Sequence, residues 1–376
     1  MSEGVFPLED IVTERLRLRP MALSDAEDVA AACSDPSTRR FLPMLPDPYT
    51  VDVAVHWITE QASKAHGEGR AQWAIADKDT GKLLGSIGLP MVMHPRGVAE
   101  VGYWVAPWAR GQGLATEAVT AVTDWTFANG IHRMTLIADL ANVGSQKVAL
   151  ASGFRREATL RGQNRTADGG FFDNAMFVRL SCDEPGRVPR LLPDLPDGRL
   201  TDGVVTVRPL EAADAEDSFA ARSLPEVVRS SARPVQPVFA DTAKYVSTAY
   251  AQWLAGEAAR MSIRDAATDA YAGEIDLYAR GGQASVAMLG IHLNPGGRGK
   301  GFASRSVRLV AKWAFEQVGV RRLEAGTATW NEASQAVVAR LGFTREGVQR
   351  SYFGGPDGER TDNIMWSLLP GELTGE

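Results

Sequence analysis

Apolar and polar residues alternate in RLRLRP (15–20), the period of a short half-buried strand. LSDAEDVAAAC (23–33) then switches to helical spacing, with Ser24 as the expected N-cap. TVDVAVHWITEQASKAHGEG (50–69) continues in that period and predicts a second helix ending near Gly67. Two apolar runs around a D-T-G turn in QWAIADKDTGKLLGSIGL (72–89) predict a hairpin. VAEVGYWVAP (98–107) predicts a strand stopped by Pro107. TEAVTAVTDWTFANG (116–130) is amphipathic, with Val119, Val122, Thr123 and Phe127 on one face and Gly130 closing the helix. MTLIADL (134–140), SQKVALASG (145–153) and DNAMFVRL (173–180) add a strand, a short helix and a last strand. Mixed strands around two main helices define an α+β domain.

The same pattern then runs a second time. LRPMALSDAEDVAAA (18–32) resembles VRPLEAADAEDSFAA (207–221), and WARGQGLATEA (108–118) resembles GGRGKGFASRS (296–306). LANVGSQKVALASGFRRE (140–157) matches TWNEASQAVVARLGFTRE (329–346), and TADGGFFDNAMF (166–177) matches GPDGERTDNIMW (355–366). The four blocks keep their order and an offset of half the chain, constant to within one residue. A unit this long is a domain rather than a solenoid repeat of roughly 20–50 residues. The expectation is therefore a first domain at 1–181, a Pro- and Gly-rich linker at 182–203, and a second domain at 204–376. Each is expected to hold a largely antiparallel twisted sheet flanked by helices.

Composition narrows the partners. A net charge of −6 argues against wholesale binding of nucleic acid. No segment has the apolar length of a membrane span, and the opening MSEGVFPLEDIVTERLRL lacks the apolar run of a signal peptide. Cys33 and Cys182 offer no disulfide framework and fit a reducing cytoplasm. The five histidines form no HExxH and have no cysteine pair nearby, so no metal site is expected.

Candidate chemistry centres on RGQGLA. It lies between a strand and a helix, where glycines let the backbone present successive N–H groups beside a positive helix end. Arg110 adds a charge-assisted donor, so a pyrophosphate is the ligand this loop suits. No Walker GxxxxGK[ST] is present, and the third glycine of a Rossmann fingerprint is missing. GGRGKG is too short, and too directly followed by a helix, to be an RNA-binding glycine–arginine segment.

The pattern R-x-x-G-x-A at Arg110, Gly113 and Ala115 resembles the acyl-CoA loop of the GCN5-related N-acetyltransferases (GNAT). So do AEVGYWV ahead of it, Asn142 and Ser145 in N-x-x-S, and A-S-G-F at 151–154. RLRLRP and DNAMF fit the subgroup containing ribosomal-protein N-terminal acetyltransferases, and the resemblance covers both halves. It implies two tandem GNAT-like domains and acyl-CoA-dependent transfer, most simply from acetyl-CoA, to a primary amine on a small molecule, peptide or protein. It also implies that the strand at 100–106 splays from its neighbour to pair with the pantetheine arm. In the first half, Val105, Arg110, Gly111, Gln112, Gly113, Leu114 and Ala115 would hold the cosubstrate, with Asn142 on the pantetheine. In the second, the corresponding set is Arg298, Gly299, Lys300, Gly301, Phe302, Ala303, Asn331 and Ser334.

Glu100 is the candidate general base and Ser145 the candidate proton donor to the leaving thiolate. Trp104 and Trp108 are candidates for the acceptor cleft, as are segments 33–50 and 223–240, where Arg39 and Arg40 suit a carboxylate-bearing acceptor. The second half places Met288 where Glu100 falls, and a thioether takes no proton. His292, or Glu274 and Asp276, are its conceivable substitutes. Catalysis is therefore expected mainly in the first half. Two other readings stay open: a CoA-binding sensor or pseudoenzyme, and a transferase drawing its acyl group from aminoacyl-tRNA.

Overall fold

A computed structural model describes residues 6–7, 9–65, 69–166, 169–230, 234–280, 283–354 and 359–374. Gly67, the expected end of the second helix, lies outside them. The chain divides into two compact units, Met1–Pro189 and Arg190–Glu376. The run 182–203 is shared between them. Val188 donates to the Leu150 carbonyl at 2.9 Å in the first unit, while Leu192 and Leu195 are buried in the core of the second.

The first unit runs β1 (Ile11–Val12), β2 (Leu16–Arg19), α1 (Ala26–Ser34), α2 (Pro36–Phe41), α3 (Val51–His56), β3 (Ala71–Asp77), β4 (Leu83–Met93), β5 (Val98–Val105), α4 (Leu114–Ala128), β6 (Arg133–Asp139), α5 (Val143–Ala151), β7 (Arg155–Arg165) and β8 (Phe171–Leu180). The second runs β9 (Leu200–Thr201), β10 (Val205–Pro209), α6 (Ala215–Arg222), α7 (Pro225–Ser230), α8 (Phe239–Leu254), β11 (Ala258–Asp265), β12 (Tyr271–Arg280), β13 (Gln283–Leu293), α9 (Phe302–Trp313), β14 (Arg322–Ala328), α10 (Glu332–Arg340), β15 (Thr344–Gly354) and β16 (Arg360–Leu368). Each unit holds an eight-stranded sheet, ordered β1-β2-β3-β4-β5-β6-β8-β7 and β15-β16-β14-β13-β12-β11-β10-β9. Among the described residues only β5/β6 and β13/β14 pair in parallel; the fold is α+β, mixed and mostly antiparallel.

The alternation in RLRLRP buries Leu16 and Leu18 completely. The amphipathic α4 buries Val119, Val122 and Thr123 on its core face, and Gly130 follows it in the left-handed region at φ +89°. α3 passes into a π-helical turn at Trp57–Ala62. Strand β7 escaped the sequence reading because its exposed, polar residues carry no alternating apolar signal.

Ser24 does not cap α1. A 3₁₀ turn, Leu23–Asp25, precedes the helix, and Asp25 does the work there. Its carboxylate accepts from the Ala22 N–H at 2.9 Å and from Arg19 at 2.7 and 2.8 Å. A carboxylate fixed by an arginine on the adjacent strand outcompetes a neutral hydroxyl. The second unit repeats the device with Asp214, which is fully buried. It accepts from Arg208 at 2.9 Å, from the Glu211 N–H at 2.9 Å and from Arg264. Asp214→Ala removes the counter-charge of two partly buried guanidinium groups, so the second unit is expected to lose roughly 3–5 kcal/mol. Urea unfolding should show one of two transitions moving to lower concentration; an unchanged profile contradicts this account of the anchor.

Candidate active site

The cleft begins where a parallel strand pair gives out. β5 and β6 are in register only over Val98–Arg133, Ala99–Met134 and Glu100–Thr135. Beyond that point β5 stays on β4 as far as Val105, and β6 stays on β8 as far as Asp139. The two strands therefore diverge, and their facing backbone groups have no ladder partner. A bulge on β4 between Gly88 and Met91, opposite the same stretch of β5, bends the ribbon there. In the second unit the equivalent pair parts after Leu289–Ala325. The splay expected at 100–106 is present, and the second unit repeats it.

Each splay opens toward a glycine loop and a helix N-terminus. Gly111 and Gly113 sit at φ +75° and +77°, and Gly299 and Gly301 at +72° and +79°, a region that side chains disfavour. Gly113 and Gly301 occupy the N-cap positions of α4 and α9, and no side chain caps either helix. The first-turn N–H groups are left for a ligand, beside roughly half a positive charge of helix dipole.

The two loop arginines are not free donors. Arg110 donates to the Val105 carbonyl at 3.2 Å, to Asp35 at 2.8 Å and to Thr38 at 2.7 Å. Arg298 donates to the Leu293 carbonyl at 3.0 Å and pairs with Glu226 at 2.6 Å. Each ties the end of the splayed strand to the short helix opposite, α2 or α7. In the free chain Arg110 therefore acts as a clamp. Arg15, which carries no motif, is held beside the same loop. It donates to the Gln112 carbonyl at 2.9 Å and pairs with Glu117 at 2.7 Å. The second unit reverses the signs, pairing Arg305 with Asp202 at 2.6 Å. With Lys300 in place of Gln112, its loop is the more basic of the two. Leu114 and Phe302 are buried, leaving only their main chain to the loop.

Glu100 occupies the vertex of the first splay, on the last paired rung. Half-buried on β5, its carboxylate makes no hydrogen bond or ion pair among the described residues, and burial alone raises its pKa above the ordinary glutamate value. Asn142, at the start of α5, spends its side-chain oxygen capping the Ser145 N–H at 3.1 Å; Asn331 does the same for Ser334. Across the splay the Tyr103 hydroxyl donates to Ser145 Oγ at 3.1 Å. Burial pushes the Tyr103 phenol up, so it stays protonated. Nothing in the sequence pairs Tyr103 with a serine 42 residues on.

In the second unit Ile291 stands where Tyr103 stands in the first, and a cavity of about 370 Å³ opens in the splay. Arg298, Ala303, Asn331, Ser334, Ile291 and His292 line it. One rung before this splay opens, a glutamate stands on the neighbouring strand. Met288 on β13 faces Glu324 on β14, whose counterpart in the first unit is Thr135. Glu324 is held by Arg322 at 2.9 Å and Arg280 at 3.3 Å.

The acceptor face is less uniform than expected. Trp108 packs on the hairpin, donating to the Leu83 carbonyl at 3.0 Å beneath the Lys82 ammonium, so it does not face a cleft. Trp104 packs on the cluster around α1 and α3. Arg39 is occupied by the Pro46 carbonyl at 2.9 Å and Asp47 at 3.2 Å. Arg40 and Asp139 share an open cavity of about 420 Å³ with Pro43, Thr166 and Phe172. Burial raises the Asp139 pKa, and Arg40 opposes that rise. Of segment 223–240, residues 231–233 lie outside the described chain. No metal-binding cluster and no helix long and apolar enough to cross a membrane occurs among the described residues.

Comparison with known proteins agrees with this geometry. The sequence model of the Acetyltransferase (GNAT) domain matches residues 15–155 and again 205–344. The chain therefore belongs to the GNAT family, carries two such domains in tandem, and is an N-acetyltransferase. It is 29% identical to the uncharacterized N-acetyltransferase p20 of Bacillus licheniformis over 181 residues, 48% of this chain and 100% of that one. Over 158 residues it is 29% identical to the uncharacterized N-acetyltransferase YoaA of Bacillus subtilis, 42% of this chain and 88% of that one. RimJ of Mycobacterium smegmatis, solved in complex with CoA-disulfide, is 22% identical with a TM-score of 0.42, covering 47% of this chain and 88% of its own.

A carboxyl whose pKa rises on folding costs stability once the pH exceeds its unfolded value, here near 4.5. Glu100→Gln is therefore expected to raise the melting temperature at pH 7 and to leave it unchanged at pH 4. A lower melting temperature at pH 7 would show that the carboxylate is structurally needed.

Proposed function

We infer that this enzyme moves an acetyl group from acetyl-CoA to a primary amine, and that the first domain does so with Glu100 as general base. The observation that carries the reading is the position of Glu100: an unpartnered, half-buried carboxylate at the vertex of a splay that leads to an uncapped helix N-terminus. The left-handed glycines, the open first-turn N–H groups and the unpaired edges of the splay fit a ligand with a pyrophosphate at one end and an extended amide chain behind it. Residues 111–115 would hold the pyrophosphate and the β5 edge the chain. When bound, the cosubstrate supplies an activated thioester carbonyl.

The chain supplies the proton chemistry. Free amines have pKa values of about 8 to 10 and are mostly protonated at pH 7, a form that cannot attack. Glu100 takes that proton, and its raised pKa makes it a better acceptor than an exposed glutamate. A backbone N–H on the diverging stretch of β5 is placed to polarise the carbonyl oxygen. On the leaving side, Tyr103 donates to Ser145, which frees the serine hydroxyl to donate onward to a thiolate. Arg40 and Asp139, at the open cavity, offer both signs of charge to an acceptor that carries a carboxylate besides its amine.

Aspartate tolerates the left-handed region better than most residues, so Gly113→Asp and Gly301→Asp put a carboxylate into one cradle or the other. Calorimetric titration with acetyl-CoA is expected to give two sites in the natural chain and one in each variant; no binding by the natural chain would sink the reading. Glu100→Gln is expected to lower first-domain turnover by about 10²–10⁴-fold with acetyl-CoA binding unchanged. Turnover equal to that of the natural chain would take the base role from Glu100.

A further inference from the structure

The two domains differ in the layer between their sheets and the neighbouring helices. In the first domain that layer is uncharged: Val29, Cys33 and Ala74 pack there with Trp104 against them, and Ser86 and Gln72 bond each other at the positions of Glu274 and Arg260. In the second, the corresponding positions hold Ser218, Arg222, Ser262 and His292. On β12, Glu274 lies opposite His292 and Asp276 opposite Gly290. Glu274 is 1% exposed and accepts from Ser218, Arg222 and Tyr271. Asp276 accepts from Tyr278 at 2.7 Å and from Arg260 at 3.2 Å. Burying this many charges is costly compared with the uncharged packing that serves the first domain.

One member of the layer reaches the cleft. His292 lines the 370 Å³ cavity together with Arg298, Asn331 and Ser334. Its Nε2 is buried without a hydrogen bond and lies 4.0 Å from Glu274 Oε2. At that distance Glu274 makes no hydrogen bond to the ring and acts on it through its charge. Glu324, the other acidic group near the vertex, is held by Arg322 and Arg280 and does not line the cavity.

We propose that the second domain is a second acyltransfer site, independent of Glu100, in which His292 is the general base for a primary amine. The amine nitrogen bonds to the acyl carbon and gives its proton to His292 Nδ1. The carbon–sulfur bond breaks, and the thiolate takes a proton from the Ser334 hydroxyl, which solvent restores. Glu274 stabilises the imidazolium so formed. Around the ring stand Glu274 and Asp276 from β12, Arg222 from α6, and Glu226 and Arg298 at the cavity wall. Burial and Arg222 lower the histidine pKa, while the two carboxylates raise it; the net direction is down. The ring is therefore neutral and able to accept at pH 7.

The inference rests on the acetyl-CoA reading, and its test separates the two. In full-length Gly113→Asp protein, ¹⁵N-labelled at histidine, the His292 signals are identified by their loss in His292→Gln. They should titrate below the ordinary histidine value of 6.5 and move on addition of acetyl-CoA. In the same background, thiol release from acetyl-CoA with water as acceptor should fall at least 10-fold in His292→Gln and stay unchanged in Glu324→Gln. There the water oxygen bonds to the acyl carbon, a water proton passes to His292, and acetate and the CoA thiol leave. Signals unmoved by acetyl-CoA that calorimetry shows to be bound would overturn the proposal. So would equal thiol release by the His292→Gln and unaltered chains, including none by either. No acetyl-CoA binding at all would instead remove the reading beneath it.

Discussion

Everything in this structure that bears on chemistry depends on a parallel strand pair that stops early. Three rungs hold β5 to β6, and past Glu100 the strands separate. An edge of unpaired N–H and C=O groups inside a domain is expensive unless water or a ligand satisfies it. The cleft is thus an incomplete sheet, shaped to be completed by something extended. The surrounding features serve that gap. A bulge bends β4 beside it, left-handed glycines turn the chain out of the strand, and the arginine clamps fix the strand ends at Val105 and Leu293. Arg110 and Arg298 each grip both a strand-end carbonyl and a carboxylate at a facing helix, and so join the splayed strands to α2 and α7.

Duplication has preserved this backbone device and let the side chains diverge. The loop geometry agrees between the domains to within a few degrees at the glycines. Side-chain chemistry has been redistributed. Glu100 on β5 of the first domain is replaced by Met288 on β13 of the second; the ion pair beside the loop is Glu117–Arg15 in one and Arg305–Asp202 in the other. Tyr103 bridges the first splay, where Ile291 leaves the second open. An uncharged layer in the first becomes a buried ionic one in the second.

Much of this was legible in the sequence, because the signals were local. The period-two run RLRLRP, the amphipathic α4 and the repeated R-x-x-G-x-A each report their own surroundings. Glu100 could be placed on the face it shares with Trp104 from alternation alone. What escaped depended on distant partners. Ser24 had the composition of a cap, but Asp25 had an arginine on the neighbouring strand to hold it. Arg110 is clamped to Asp35, 75 residues away in the chain, and no motif announces that pair. Tyr103 and Arg15 carried no motif, and only the fold brings them to Ser145 and Gln112. That Glu324 stands opposite Met288 could not be known before the register of β13 on β14.

The central claim, that the two splays are unfilled sheet positions awaiting an extended cosubstrate, is tested most directly by amide hydrogen exchange with and without acetyl-CoA. Within 101–105 and 289–293 the amides that face the splay, unlike those bonded to β4 or β12, should exchange fast in the free protein, and acetyl-CoA should slow them along with the glycine loops at 111–115 and 299–303. Slow exchange of the splay-facing amides before any ligand is added, or rates that acetyl-CoA leaves unchanged, would contradict it.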